Sequence, residues 1–270
     1  MEGTNSHVRQ QLTIRVGRGT LSFSRPDGPS EDSIAFEPFV MKSGVSVAAN
    51  LREAFKRADL LQPPLPTRVR VLVDSHVLMV PVELFDEASM EEMYRHAYPF
   101  TTQDVVLYNV LPDLHAVAVF AVGRDLRTVV EDHFHDVRFL AAVSPVWRHL
   151  YQRSFTGKNQ KLYGYFHEKQ LEVFCFQQNR FKFCNSFDAA HSHDALYFLL
   201  YVWKQLQLQA QTDELHIVGD IPDEDWLMQE LHRFLQKAYV INPSADFNRH
   251  PATEVKGMPY DLQTLFVKGR

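Results

Sequence analysis

The same order of structural elements is predicted twice along the chain. Each half begins with three short apolar runs of β-strand type and continues with a helix, a strand, a helix and a strand. The halves share this order although their residues are not visibly similar. Hairpin-type strands followed by strands that alternate with helices predict a mixed sheet covered by helices. The pattern therefore predicts an α/β protein of two lobes with a cleft between them.

The first lobe is predicted to span residues 1–155 and to contain an inserted block. Residues 77–122 read as a β-α-β-β unit that has no counterpart in the second half. The remaining strands of this half are predicted at residues 12–16, 20–24, 34–40, 69–73 and 139–143. A polar run at 156–160 follows a predicted helix, so we expect the boundary between the lobes within residues 151–161.

The second lobe is predicted to span residues 156–270, with a C-terminal tail. Its strands are expected at residues 162–166, 171–176, 181–185, 215–219 and 239–241. A two-residue loop at Gln178-Asn179 would set Phe174 opposite Phe183 and Phe176 opposite Phe181. The tail, residues 242–270, is predicted to be extended and to end in a strand at 262–267.

Charge and composition restrict the classes of partner. The net charge of -5 over 270 residues provides no basic field for a phosphate backbone, so we expect no nucleic-acid partner. The longest apolar stretch, residues 195–203, is about half of the ~18 residues that a membrane-spanning helix needs. The first ten residues lack the apolar region of a secretory signal, and the two cysteines form no CxxC pair. We therefore expect a cytoplasmic protein.

Two segments resemble an uncharacterised bacterial family, a domain of unknown function with an actin-like ATPase fold. They are L-T-I-R-V-G-R-G-T-L-S-F at 12–23 and I-N-P-S-A-D-F-N-R-H-P at 241–251. The element order is similar, over nearly the whole chain, to that of the superfamily of actin, sugar kinases and heat-shock chaperones. The inserted block resembles that of bacterial cell-division and pilus-assembly actin-like proteins. The resemblance implies duplicated actin-like, or ribonuclease H-like, lobes with the insertion in the first.

The ATP-binding motifs that the resemblance implies are degraded. In active members, each lobe opens with a strand that ends Asp-x-Gly, whose carboxylate holds hydrated metal or polarises water. Here Arg15 stands two residues before Gly17, and the second lobe reads L-Y-G-Y-F-H-E-K-Q-L at 162–171. The adenosine-binding strand, which usually ends in a Gly-Gly pair, ends in Gly219-Asp220. We therefore expect a pseudoenzyme that uses no cofactor.

Several candidate site residues can be interpreted in two ways. Asp74 and Asp220 each follow a predicted strand, so together they could bind a metal, although turn or helix-cap roles explain them as well. We predict no metal site. The turn of Gly17, Arg18 and Gly19, with Arg15, could receive a phosphate or carboxylate, or be a plain hairpin turn. The candidate ligand-binding residues are Arg15, Gly17, Gly19, Asp74, Gly219 and Asp220.

Three functional hypotheses follow. The first is a non-catalytic protein that acts through contacts with other proteins, a homodimer included. Its contact surface could be the inserted block, although packing of the block onto the first lobe would use the same side chains. The block carries methionine and aromatic residues of the kind enriched at interfaces: Met79, Met90, Met93, Tyr94, Tyr98 and Phe100. The second is an ATPase or small-molecule kinase with an atypical site around Asp74, Asp220 and Arg15. The third is a protein that binds a small anionic ligand in the cleft without turnover.

Overall fold

The computed structural model describes residues 11–27, 33–62, 68–177 and 180–267. Its strands are β1 (Gln11–Val16), β2 (Thr20–Pro26), β3 (Ile34–Val40), β4 (Arg68–Val73), β5 (Val77–Pro81), β6 (Asp104–Leu111), β7 (Ala116–Gly123), β8 (Val137–Ala141), β9 (Lys161–His167), β10 (Gln170–Gln177), β11 (Arg180–Asp188), β12 (Glu214–Gly219) and β13 (Ala238–Val240). Its helices are α1 (Val47–Arg57), α2 (Met90–Ala97), α3 (Arg124–His133), α4 (Ser144–Ser154), α5 (Ser192–Gln205), α6 (Glu224–Phe234), α7 (Pro243–Asp246) and α8 (Tyr260–Phe266).

Two five-stranded sheets form the frame and have equivalent topologies. Their orders are β3-β2-β1-β4-β8 and β11-β10-β9-β12-β13. In each sheet the central strand pairs antiparallel with the second strand of its half and parallel with the fourth. The predicted duplication of mixed sheets with helices is therefore confirmed. The exact position of a boundary between the lobes stays a prediction.

The inserted block forms a separate three-stranded sheet, β5-β7-β6. Helix α2 packs on this sheet through Tyr94, whose side chain is buried among Val106, Val117 and Val119. Tyr94 is buried and the other five members of the predicted methionine and aromatic group are partly buried, while the neighbouring Glu91, Glu92 and Arg95 are exposed. These side chains pack mainly into the cores of the block and of the adjoining lobe, and a contact surface on the block stays a prediction.

An apolar core joins the two sheets. Trp147 on α4 is fully buried and packs edge to face on Phe174 and Phe181 of the second sheet. The same cluster contains Ile14 from the first sheet and Tyr163 from the second. Burial of large aromatic side chains is the main stabilising contribution of such an interface. The sheets are therefore held together by packing as well as by polar contacts.

Two local predictions were wrong. Residues 262–267 belong mainly to helix α8, whose Leu262 packs with Leu72 and Ala142 on one face of the first sheet. In the β10–β11 hairpin Phe176 lies opposite Phe181 as predicted, but the register shifts there and sets Phe174 opposite Cys184. The loop residues 178–179 lie outside the described residues. Within the described ranges, no helix is long and apolar enough to span a membrane.

Candidate functional site

The site begins with the hairpin that joins β1 and β2. The Gly17 N–H donates to the Thr20 carbonyl at 2.8 Å, which closes the turn. Arg15, beside Leu72 on β4, lies on the sheet face that α8 covers, and its side chain is almost completely buried. A guanidinium in such a place needs carboxylate partners, because transfer of an unpaired charge from water is strongly unfavourable.

Two carboxylates from distant parts of the chain supply these partners. The Arg15 Nε donates to both Asp261 oxygens at 2.9 Å, and its Nη1 donates to Glu168 Oε1 at 2.7 Å. Burial opposes the charge on Arg15, but Asp261 and Glu168 outweigh burial and raise the pKa of Arg15 further. Arg15 on the first sheet therefore contacts both α8 and the turn between β9 and β10 of the second sheet.

Glu168 occupies the turn between β9 and β10, the counterpart of the first hairpin. Its Oε2 accepts from the Gly19 N–H at 2.9 Å, and its Oε1 accepts from the Thr20 hydroxyl at 2.7 Å. Burial favours a higher pKa for Glu168, but hydrogen bonds from Arg15, Thr20 and Gly19 lower that pKa below its usual range. The carboxylate is therefore held ionised between the two hairpins.

Asp74 is used in a second ion pair beside the first. His167 Nδ1 lies 3.1 Å from Asp74 Oδ2, and His167 Nε2 lies 3.8 Å from Glu172 Oε1. Burial disfavours the imidazolium, but the two carboxylates outweigh burial and raise the pKa of His167 to about 10. Arg18 approaches Asp74 at 3.9 Å. Asp74 therefore neutralises cations of the protein itself.

Gly219 and Asp220 border a cleft of about 180 Å³ next to these ion pairs. Gly219 has φ +103°, and a Cβ there would overlap the Phe166 carbonyl oxygen. The Asp220 N–H donates to the same carbonyl at 2.9 Å, while the Asp220 side chain is exposed. Close packing between β9 and the end of β12 thus explains the glycine. The structure brings Arg15, Gly219 and Asp220 to one cleft, with Gly17 and Gly19 in the hairpin beside it.

The family model described as a protein of unknown function, DUF3822, matches residues 3–238. The chain belongs to the DUF3822 family. A search of curated proteins gave no match.

Solved structures show the fold of this DUF3822 member. A Bacteroides thetaiotaomicron protein with an actin-like ATPase fold and unknown function is 25% identical, with a TM-score of 0.83 and 100% of each chain covered. The PilM–PilN type IV pilus biogenesis complex matches at 12% identity and a TM-score of 0.61, with 95% of this chain and 97% of that chain covered. The second likeness shows the fold alone. The chain therefore has an actin-like ATPase fold.

The ion pairs beside the cleft of this DUF3822 member neutralise one another. Arg15 and Glu168 lie within the residues that the family model matches, and Asp261 lies beyond them. Within the described part of the chain, no group of three His, Cys, Asp or Glu side chains is arranged to hold a metal ion. Asp74 contacts His167 rather than Asp220. The arrangement joins the two hairpins and α8 through ion pairs and hydrogen bonds.

Proposed function

We infer that this chain is a non-catalytic protein of the actin-like fold that acts through contacts with other proteins. One observation carries this proposal. Arg15 stands where active relatives carry an aspartate, and its charge is matched by Asp261 and Glu168. Mg²⁺ prefers carboxylate, phosphate and water oxygens, so a guanidinium fixed at this point repels the metal that ATP hydrolysis needs.

The donors of the first hairpin support the same proposal. The Gly19 N–H and the Thr20 hydroxyl, which face the cleft, are both bound to Glu168. A nucleotide phosphate would have to displace this carboxylate and then lie near Asp220 and Asp261. Repulsion between like charges in a partly buried cleft makes that exchange unfavourable.

The packing of the sheets supports a role as a scaffold. The aromatic core around Trp147 opposes the hinge motion that closes many ATPases over a nucleotide. The PilM–PilN structure is named as a complex, so this fold is compatible with stable protein contacts. The partner can be a different protein or a second copy of this chain.

Nucleotide binding tests the non-catalytic part. We expect millimolar Mg-ATP to leave the melting temperature unchanged, because the protein should not bind it. If it did bind, a ligand at ~100 times its Kd would add about 2.7 kcal/mol to the free energy of unfolding and raise the melting temperature. We also expect no phosphate release above that of buffer. A reproducible shift or turnover that Asp74→Ala abolishes, and that Lys169→Ala leaves intact, would support the enzyme instead.

Complex formation tests the proposed contacts with other proteins. The tagged full chain would be purified from its native cells, and co-eluting proteins would be identified by mass spectrometry. We expect at least one candidate to re-form a stoichiometric complex from purified components, and sedimentation of the chain alone would detect a homodimer. A protein that stays monomeric and re-forms no complex would contradict the proposal.

A further inference from the structure

Three donors of the first hairpin converge on one carboxylate of the second. They are the Gly19 N–H, the Thr20 hydroxyl and Arg15 Nη1, at 2.9, 2.7 and 2.7 Å from Glu168 oxygens. A guanidinium combined with a turn N–H is the donor set that proteins use for oxyanions. We call these three residues the carboxylate cradle.

Gly17 opens this cradle to an oxygen atom from outside the hairpin. A Cβ at position 17 would overlap Glu168 Oε1. Any larger residue would therefore close the space in which the carboxylate lies. The absence of a side chain at Gly17 gives the cradle the room that an anion needs.

Glu168 can leave the cradle without loss of the main ion pair. Its side chain is 15% exposed, whereas that of Asp261 is 1% exposed. Rotation of the Glu168 side chain into solvent would free the three donors, while Arg15 keeps its bonds to Asp261.

The space next to the cradle is suited to an apolar group. The cleft of about 180 Å³ includes Leu21, Phe36 and Tyr260 among its lining residues. Tyr165 also lines it, and its buried hydroxyl has no hydrogen-bond partner among the residues that the structure describes. Because this hydroxyl has almost no accessible surface, the cleft offers a ligand mainly its apolar side chains.

The surrounding charge selects among anions. Asp220 and Asp261 remain beside the cradle when Glu168 leaves it, and the charge of His167 in the cleft lining is already matched by Asp74 and Glu172, so a dianion such as phosphate would be repelled. A single carboxylate replaces the charge of Glu168 one for one. The donors therefore favour a monoanion, and the cleft favours an apolar body attached to it.

We propose that the carboxylate cradle binds a small organic monocarboxylate with an apolar body, which displaces Glu168 and fills the adjoining cleft. The ligand competes with Glu168 for the cradle. The apparent Kd of wild type is the intrinsic Kd divided by the small fraction of molecules in which the cradle is open, so it is higher than the intrinsic Kd. Neither ATP nor a protein partner takes part, so this site stands or falls separately from the proposed function.

Titration calorimetry with benzoate tests the site. We expect wild-type protein to bind benzoate saturably, and Glu168→Ala to bind it at least about tenfold more tightly, because the competing carboxylate is gone. Lys169→Ala, in the same turn but outside the cradle, should match wild type. Benzyl alcohol, which lacks the charge, should bind no more tightly to Glu168→Ala than to wild type.

Three results would overturn the proposal. They are absence of saturable benzoate binding to Glu168→Ala, equal affinity of this variant and wild type, and tighter binding of inorganic phosphate than of benzoate. Saturable binding to the variant with none to wild type would also overturn it, since Glu168 would then be a permanent occupant. If Glu168→Ala does not fold, Glu168→Gln removes the charge but keeps a neutral oxygen acceptor, so it should show a smaller gain in affinity in the same direction.

Discussion

The indole of Trp147 meets the ring of Phe181 edge to face, with centroids 4.8 Å apart and planes at 74°. Trp147 lies on α4, which follows the last strand of the first sheet, and Phe181 lies on an edge strand of the second. Any movement that separated the sheets would expose the indole to water, at a cost that scales with its area. The two sheets should therefore unfold together.

Trp147→Ala should lower the free energy of unfolding by about 3–5 kcal/mol, the range for a fully buried large aromatic side chain. Urea denaturation followed by circular dichroism measures this loss, and wild type should show one transition. Tyr197→Ala is the control, because Tyr197 is 62% exposed and should change stability by less than about 0.5 kcal/mol. Two separate transitions in wild type would contradict a shared core.

The sequence was sufficient to predict the repeated elements because their periodicity is local. The third strand was predicted at its observed bounds, Ile34–Val40. The tail was not predicted, because α8 is a seven-residue helix whose apolar side chains find their partners, such as Leu72, far away in the chain. The shift between Cys175 and Phe176 was missed because the alternation of Phe181 and Phe183 indicates one regular ladder, whereas the extra residue turns Phe183 to the opposite face of the sheet from Phe181.

Gly219→Ala should lower the free energy of unfolding by about 1–3 kcal/mol, because the new Cβ meets the Phe166 carbonyl and φ is +103°. Chemical denaturation measures the loss. Gly123→Ala is the matched control, since it begins a helix with φ -58° and nothing lies within 4 Å of its Cβ position. Equal stability of the two variants would show that close packing does not explain Gly219.

The pH dependence of stability should report His167. Its pKa is raised to about 10 in the folded protein, above the ordinary 6.5, so its contribution is complete below pH 6.5 and is lost as the pH rises towards 10. Between pH 6.5 and 8, the stability of wild type relative to His167→Gln should therefore fall. Urea denaturation of both proteins across this window measures the difference between their free energies of unfolding. The contributions of the titrating groups that the two proteins share cancel in this difference. His135→Gln is the control, because His135 is exposed. Parallel curves of stability against pH for wild type and both variants would contradict the ion pair.

The site was predictable only in part. Arg15 and Gly17 stood out because the first hairpin could be compared with an expected motif, and that turn was predicted to be able to receive a carboxylate. Glu168 was missed, although it lies at the equivalent turn, because a charged residue in a hairpin looks like ordinary solvated surface. Asp261 gave no signal, since the tail has no counterpart in the repeat. Binding of an external ligand by the candidate residues stays a prediction.

Asp261→Asn should lower the free energy of unfolding by about 3 kcal/mol, because Arg15 would stay buried with only Glu168 to balance its charge. Asp220→Asn is the matched control on the same cleft, and as an exposed side chain it should change stability by less than about 0.5 kcal/mol. Replacement of both members of the pair, Arg15→Met with Asp261→Leu, should cost less than the sum of the single changes, since neither charge is then left alone. Guanidinium chloride would screen these pairs, so urea is the denaturant of choice. If Asp261→Asn and Asp220→Asn lower the free energy of unfolding equally, the Arg15–Asp261 pair adds nothing to stability. If the effects of Arg15→Met and Asp261→Leu are additive, the two groups act independently.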